Sequence, residues 1–268
     1  WAEGVDEVLI AASAEQREMV GWVIKTAERN YAVPRIVPSY HQHLNDRRAS
    51  VEELLGLPVI TLSSRKLGRM PNQLAKRLFD LTVAGLFLIF CFPILLLVVA
   101  PVIWFSDKGP ILFRQLRKGY RGEPFMLFKF RTMRVADKAQ EAIQATRYDS
   151  RKTKVGDMLR RTSLDEIPQL INVIKGEMSL IGPRPHMVEH DESFSKIVNE
   201  YNIRFVAKPG MTGWAQVNGH RGATETPEAI RKRIEHDIWY IENWSFWLDL
   251  KIILLTINRL IKGDPHAY

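Results

Sequence analysis

The sequence predicts an α/β protein, mostly helical, with one segment embedded in a membrane. Three observations carry this. Residues 81–106 (LTVAGLFLIFCFPILLLVVAPVIWFS) contain no charged side chain. These 26 residues exceed the roughly 20 that a helix needs to cross hydrocarbon. Residues 1–64 alternate strand and helix patterns, while residues 107–268 are dominated by helical periodicity with a short strand pattern.

In chain order, Val5–Ala11 reads as a strand. Ala14–Asn30 reads as a helix, with Met19, Val20, Val23, Ile24 and Ala27 at helical spacing. Pro34–Pro38 and Leu57–Leu62 read as further short strands, so residues 1–64 suggest part of a parallel sheet. No GxGxxG occurs there, and His41 and His43 lack further ligands nearby, which favours loop histidines over a metal site. Residues 65–106 read as a basic linker followed by the membrane segment. In residues 107–268, Phe125–Phe130 is strand-like, Ala136–Ala145 is a short helix candidate and Pro227–Asn243 a longer helix. Trp244–Lys262 is apolar but carries Asp249 and Lys251 midway, which suits an interfacial or a core helix better than a span.

Charge decides how the apolar segment sits. Arg65–Asp80 carries a net +4 and Asp107–Arg161 a net +9. Basic loops stay cytoplasmic, so both flanks favour the same side. Pro93, near the middle, lacks an N–H and its ring clashes with the preceding turn. A helix broken at Pro93 that enters and leaves by one face satisfies both facts, and an ordinary kinked span is the alternative. The chain opens on Trp1 rather than Met, which leaves room for membrane segments upstream.

Composition narrows the partners. Of 268 residues, 46% are apolar, enough for a sizeable core. The single cysteine, Cys91, excludes internal disulfides and cysteine-clustered zinc sites. Thirty-eight Lys and Arg against thirty Asp and Glu give +8, a balance that points to polyanions: nucleic acid, phosphorylated substrates or an anionic membrane face.

The densest polar stretch is Arg160–Leu170 (RRTSLDEIPQL), where Pro168 suits the first turn of a helix. Ser163 and Glu166 fit an S-x-x-E capping box, a purely structural role. The chemical reading is that adjacent carboxylates take different tasks. One holds a divalent cation while the other attacks phosphorus. Lys129, Arg131 and Arg184 are candidate phosphate ligands, the last aimed by Pro183 and Pro185. The turn-rich segment 208–219, with Arg221 beyond it, either places Gln216, Asn218 and Arg221 at a ligand or is a structural loop. His186 and His190 sit four apart without an HExxH pattern, which argues against zinc.

Together the motifs KRLFD (76–80), GPILFRQ (109–115), FKFRTM (128–133), SLDEIPQ (163–169), LIGPRP (180–185) and PGMTGWAQVNG (209–219) resemble the bacterial monotopic phosphoglycosyl transferases, the polyprenyl-phosphate sugar phosphotransferases. The resemblance spans about residues 76–268. It implies a mostly helical catalytic domain with a small sheet, a re-entrant membrane helix broken at Pro93 and interfacial amphipathic helices. Residues 1–64 resemble the tail of the nucleotide-binding-like domain of longer members, a partial Rossmann-like α/β unit.

The resemblance implies that Asp165 attacks the β-phosphorus of a UDP-sugar and that undecaprenyl phosphate then accepts the phosphosugar. Glu166 with Asp165 would bind Mg²⁺, and Lys129, Arg131 and Arg184 would hold phosphates. The C-terminal run and VNGHRG look most like the exopolysaccharide enzymes that transfer glucose 1-phosphate, with UDP-galactose or a UDP-N-acetylhexosamine as alternative donors. The expected setting is the cytoplasmic face of the bacterial inner membrane. The expected partners are membrane lipid and the two substrates, with no nucleic acid and with self-association open. A non-enzymatic basic membrane adaptor is the distant alternative.

Overall fold

The computed structural model describes residues 7–11, 16–30, 32–37, 50–54, 57–61, 66–68, 70–134, 149–222 and 226–262. The expected helix at Ala136–Ala145 and the pair His41 and His43 lie outside the described residues. The chain divides into two units, Trp1–Ser64 and Arg65–Tyr268.

In the first unit, β1 (Glu7–Ala11) and β2 (Val33–Val37) pair in parallel, with helix α1 (Arg17–Arg29) between them in sequence. A hairpin follows: β3 (Ser50–Leu54) pairs antiparallel with β4 (Leu57–Thr61). The sequence pattern marks β4 but not β3, whose SVEEL has too little apolar alternation to stand out.

The second unit begins with two helices, α2 (Met70–Phe90) and α3 (Phe92–Ser106), bent by 56° at Cys91. Pro93 lies in the first turn of α3, where a missing N–H costs nothing. Within one continuous helix its ring would meet the carbonyl of residue 89, so the axis turns just before it. Among the described residues no single helix is long and apolar enough to cross a membrane; the bent pair meets that criterion only when taken together.

Helix α2 starts at Met70, so part of the expected basic linker is helical. Its basic residues are anchored rather than free. Arg77 donates to the carbonyls of Val173 (2.5 Å) and Ile174 (2.8 Å). Lys76 is buried against Asp249 at 2.7 Å. Asp249 also accepts from Tyr240 Oη (2.8 Å) and Trp244 Nε1 (3.1 Å). Nearby, Asp80 accepts from the Leu180 N–H at 3.1 Å.

Strands β5 (Leu112–Lys118) and β6 (Pro124–Phe130) form an antiparallel hairpin. Phe125 and Leu127 are buried in the main core, and strand alternation puts Lys129 on their side. Phe130 joins a second cluster with Val99 and Ile103 of α3 and with Leu159. Phe130 also stacks on Phe92 at 6.2 Å. Leu159 belongs to α4 (Lys154–Arg161).

A 3₁₀ turn, Leu164–Glu166, leads into α5 (Gln169–Lys175). The buried Asn172 amide accepts from Phe128 N–H (3.1 Å) and donates to Met126 O (2.7 Å), which ties α5 to β6. Strands β7 (Ser179–Ile181) and β8 (Gly210–Thr212) then pair in parallel. A Cβ on Gly210 would stand 2.0 Å from the Gly182 backbone nitrogen, so this glycine permits close strand approach. Helices α6 (Val188–Ile197), α7 (Trp214–Val217), α8 (Pro227–Asn243) and α9 (Phe246–Lys262) complete the unit. One face of α9 enters the core through Ile252, while Trp247, Leu254 and Ile261 remain exposed.

Asp249→Ala would leave Lys76 buried and unpaired. It should cost about 3–5 kcal/mol of stability. The double replacement Lys76→Met/Asp249→Leu should cost less, measured by thermal unfolding in detergent. Equal losses would mean that the ion pair does not organise this junction.

Candidate active site

The carboxylate pair lies in the 3₁₀ turn between α4 and α5, where successive side chains point about 120° apart. Ser163, just before it, is left-handed at φ 58° and ψ 16°. This is an uncommon conformation for a residue with a Cβ. Its hydroxyl caps no backbone N–H, so the expected capping box does not form. Instead Arg221 Nη2 donates to Ser163 Oγ at 2.7 Å.

Glu166 is held by two cations. Its Oε1 accepts from Lys129 Nζ at 3.0 Å and from Arg184 Nη2 at 2.7 Å. Arg184 Nη1 reaches Oε2 at 3.3 Å, so the guanidinium grips both oxygens. Burial alone would raise the Glu166 carboxyl. Arg184 and Lys129 outweigh it and hold the group well below the usual carboxylate range.

Asp165 is different. It is only 7% exposed, yet no described residue gives it a hydrogen bond or an ion pair. Burial pushes its carboxyl up to about 6. The neighbouring Glu166 charge adds to the push, against Lys129, Arg160 and Arg184. Two adjacent carboxylates are thus driven apart by environment, one locked as an anion and the other available for chemistry.

Arg160 is a residue whose role spacing did not reveal. Its Nε donates to Thr132 Oγ1 at 2.9 Å, and its charge acts on both carboxylates. The other expected site residues do not touch the pair. Arg131 is buried and donates to the Asp107 carbonyl, with its Nη1 3.8 Å from the Asp107 carboxylate. It secures the end of α3. Gln216 Nε2 donates to Met211 O at 3.3 Å, and Asn218 Nδ2 to Trp214 O at 2.7 Å, so both brace their own loop. Arg221 sits beside the turn through Ser163, and its charge helps hold Glu166 ionised.

His186 belongs to a buried network. Its Nδ1 lies 2.8 Å from Tyr201 Oη and 2.5 Å from Arg204 Nη1. Burial, reinforced by Arg204, holds this imidazole neutral, well below its ordinary value. Among the described residues no group of three or more His, Cys, Asp and Glu gathers to hold a metal.

Residues 71–263 match the model of the bacterial sugar transferases. The chain belongs to that family. The chain is 49% identical over 215 residues to a UDP-glucose:undecaprenyl-phosphate glucose-1-phosphate transferase of Klebsiella pneumoniae. That match covers 80% of this chain and 46% of the relative. It is 46% identical to a protein of the same description from Escherichia coli K12, with the same coverages. A third relative so described, from Caulobacter vibrioides, is 46% identical over 80% of each chain. The chain therefore spans just under half the length of the first two relatives. The family match includes the bent helices, the carboxylate turn and Arg184.

Asp165 holds its proton more tightly folded than unfolded, so its ionisation costs stability as pH rises from about 4 through about 6. Asp165→Asn should therefore stabilise the fold near pH 7 by on the order of 1–3 kcal/mol. The gain should fade as pH falls below about 4. Melting curves across pH test this, and a less stable variant at neutral pH would contradict it.

Proposed function

We propose that this chain transfers a sugar 1-phosphate, most simply glucose 1-phosphate, from a UDP-sugar to undecaprenyl phosphate. The observation that carries the proposal is Asp165, an almost buried carboxylate to which no described residue gives a hydrogen bond or an ion pair, beside a Glu166 fixed by two cations. The relatives' descriptions support the choice of substrates.

In this reading an Asp165 oxygen attacks the β-phosphorus. The bond from that phosphorus to the bridging oxygen breaks, and UMP leaves with the electron pair. An oxygen of undecaprenyl phosphate then attacks the same phosphorus. Asp165 departs as a carboxylate and the lipid carries a diphosphate sugar. A covalent adduct lets two bulky substrates use one site in turn. Lys129, Arg160 and Arg184 surround the pair with positive charge that suits a diphosphate, and positioning does most of the work in such transfers.

Mg²⁺ fits the oxygens present. It binds through one or two carboxylates plus substrate phosphates and keeps several waters. No described residue bonds the Asp165 carboxylate and Glu166 Oε2 accepts one long bond, so these two would hold it. When bound, it supplies charge neutralisation on the diphosphate.

We read α2 and α3 as re-entrant, with the site on the cytoplasmic face of the inner membrane. The 56° bend, the exposed Ile89, Phe90, Ile94 and Leu97 around it, and the basic flanks on both sides support this. Trp247, Leu254 and Ile261 suit α9 to lie in the interface. The parallel pair of β1 and β2, with α1 between them in sequence, supports a Rossmann-like remnant in the first unit.

Rapid mixing with UDP-glucose alone should release a stoichiometric burst of UMP. Chelating divalent cations should suppress it, and Asp165→Asn should abolish it. Release of UDP, or full turnover by Asp165→Asn, would overturn the proposal. Single cysteines at Met70 and Lys118, in a Cys91→Ser background, should react with an impermeant maleimide from the same side. Opposite-side labelling would defeat the re-entrant arrangement.

A further inference from the structure

Arg184 grips Glu166, but its own backbone needs holding. Its loop has few donors, because Pro183 and Pro185 carry no N–H. Gly182 N–H donates to Thr212 O at 2.9 Å, and Pro183 O accepts from Gly210 N–H at 2.9 Å. These bonds pin the loop up to Pro183. The Arg184 carbonyl is held by a side chain instead: Arg204 Nη2 donates to it at 2.5 Å.

Arg204 is only 3% exposed, and both of its terminal nitrogens are engaged around that bond. The same Nη2 lies 3.0 Å from Asp237 Oδ2. Its Nη1 donates to Tyr201 Oη at 2.8 Å and approaches His186 Nδ1 at 2.5 Å. Because an arginine N–H only donates, His186 must present a lone pair at Nδ1, which fits its neutral state. Tyr201 Oη passes its proton toward Asp191. Within this side-chain network, the bond to the Arg184 carbonyl leads directly to the residue that orients Glu166.

We propose that Arg204 is a positioning residue for the transfer reaction, acting through the Arg184 carbonyl to aim the Arg184 guanidinium at Glu166 and at the diphosphate. The assignment rests on the function proposed above. A tilt at the carbonyl is amplified along the arginine side chain, and misplacement by about 1 Å costs on the order of a hundredfold in rate. Arg204→Lys keeps the charge facing Asp237 but loses the fork that reaches all four acceptors at once.

The test is a double-mutant cycle on the UMP burst, with the full chain in detergent micelles and UDP-glucose as the probe. Burst amplitude reports the fraction of sound enzyme, and burst rate reports the geometry of each sound site. Arg204→Lys should keep the amplitude and slow the rate by about 10–100-fold. In an Arg184→Gln background the same change should slow it by less than about twofold, because the group being aimed is gone. If Arg204→Lys does not fold, Asp237→Asn slackens the same guanidinium and carries the same cycle. A reduced amplitude at unchanged rate, or rate losses that multiply across the cycle, would overturn the assignment while leaving the function intact. A wild-type enzyme with no UMP burst would overturn the function and this assignment with it.

Discussion

The site depends on one contact: Glu166 held between Lys129 and Arg184. An unpaired anion this deeply buried would be protonated or would destabilise the turn. Two cations remove that cost for Glu166, while no described residue bonds the neighbouring Asp165 carboxylate. Because the compensation is local to one carboxylate, the pair divides into a fixed member and a reactive one. Burial and like charge then raise Asp165 toward neutrality, the range in which a carboxylate can change state under working conditions.

The three members of this contact come from distant parts of the chain, so the framework must bring them together. Lys129 arrives on β6, Glu166 on the turn before α5 and Arg184 on the loop after β7. Asn172 joins α5 to β6 by bonding two backbone groups of the strand, in place of a neighbouring strand. Asp80 holds β7 to α2, and Lys76 with Asp249 holds α2 to α9. Buried polar groups satisfied in this way specify one arrangement, because any slip would leave a donor or charge unpaired.

The same framework couples the site to the apolar bent pair. Val99 and Ile103 of α3 pack on Phe130, the residue after Lys129, and on Leu159 of α4, which leads into the carboxylate turn. Arg131 closes the end of α3 against Asp107. Arg131 thus fastens the helix pair and fixes where β6 ends.

Much of the architecture was legible in order. The uncharged run, Pro93 within it, and the patterns of α1, β6, α8 and α9 all mark elements that formed close to their expected bounds. Hydrophobic period and proline chemistry are local, and the chain states them directly. The motif-bearing residues Asp165, Glu166, Lys129 and Arg184 were legible as candidates because their residue types name their chemistry. Which carboxylate the described residues pair, and which they do not, was not. Nor was the left-handed Ser163, the turning of Arg131 toward Asp107, or the buried Arg204 behind Arg184. Those depend on which groups share a desolvated space, and only the packing of segments far apart in the chain decides that.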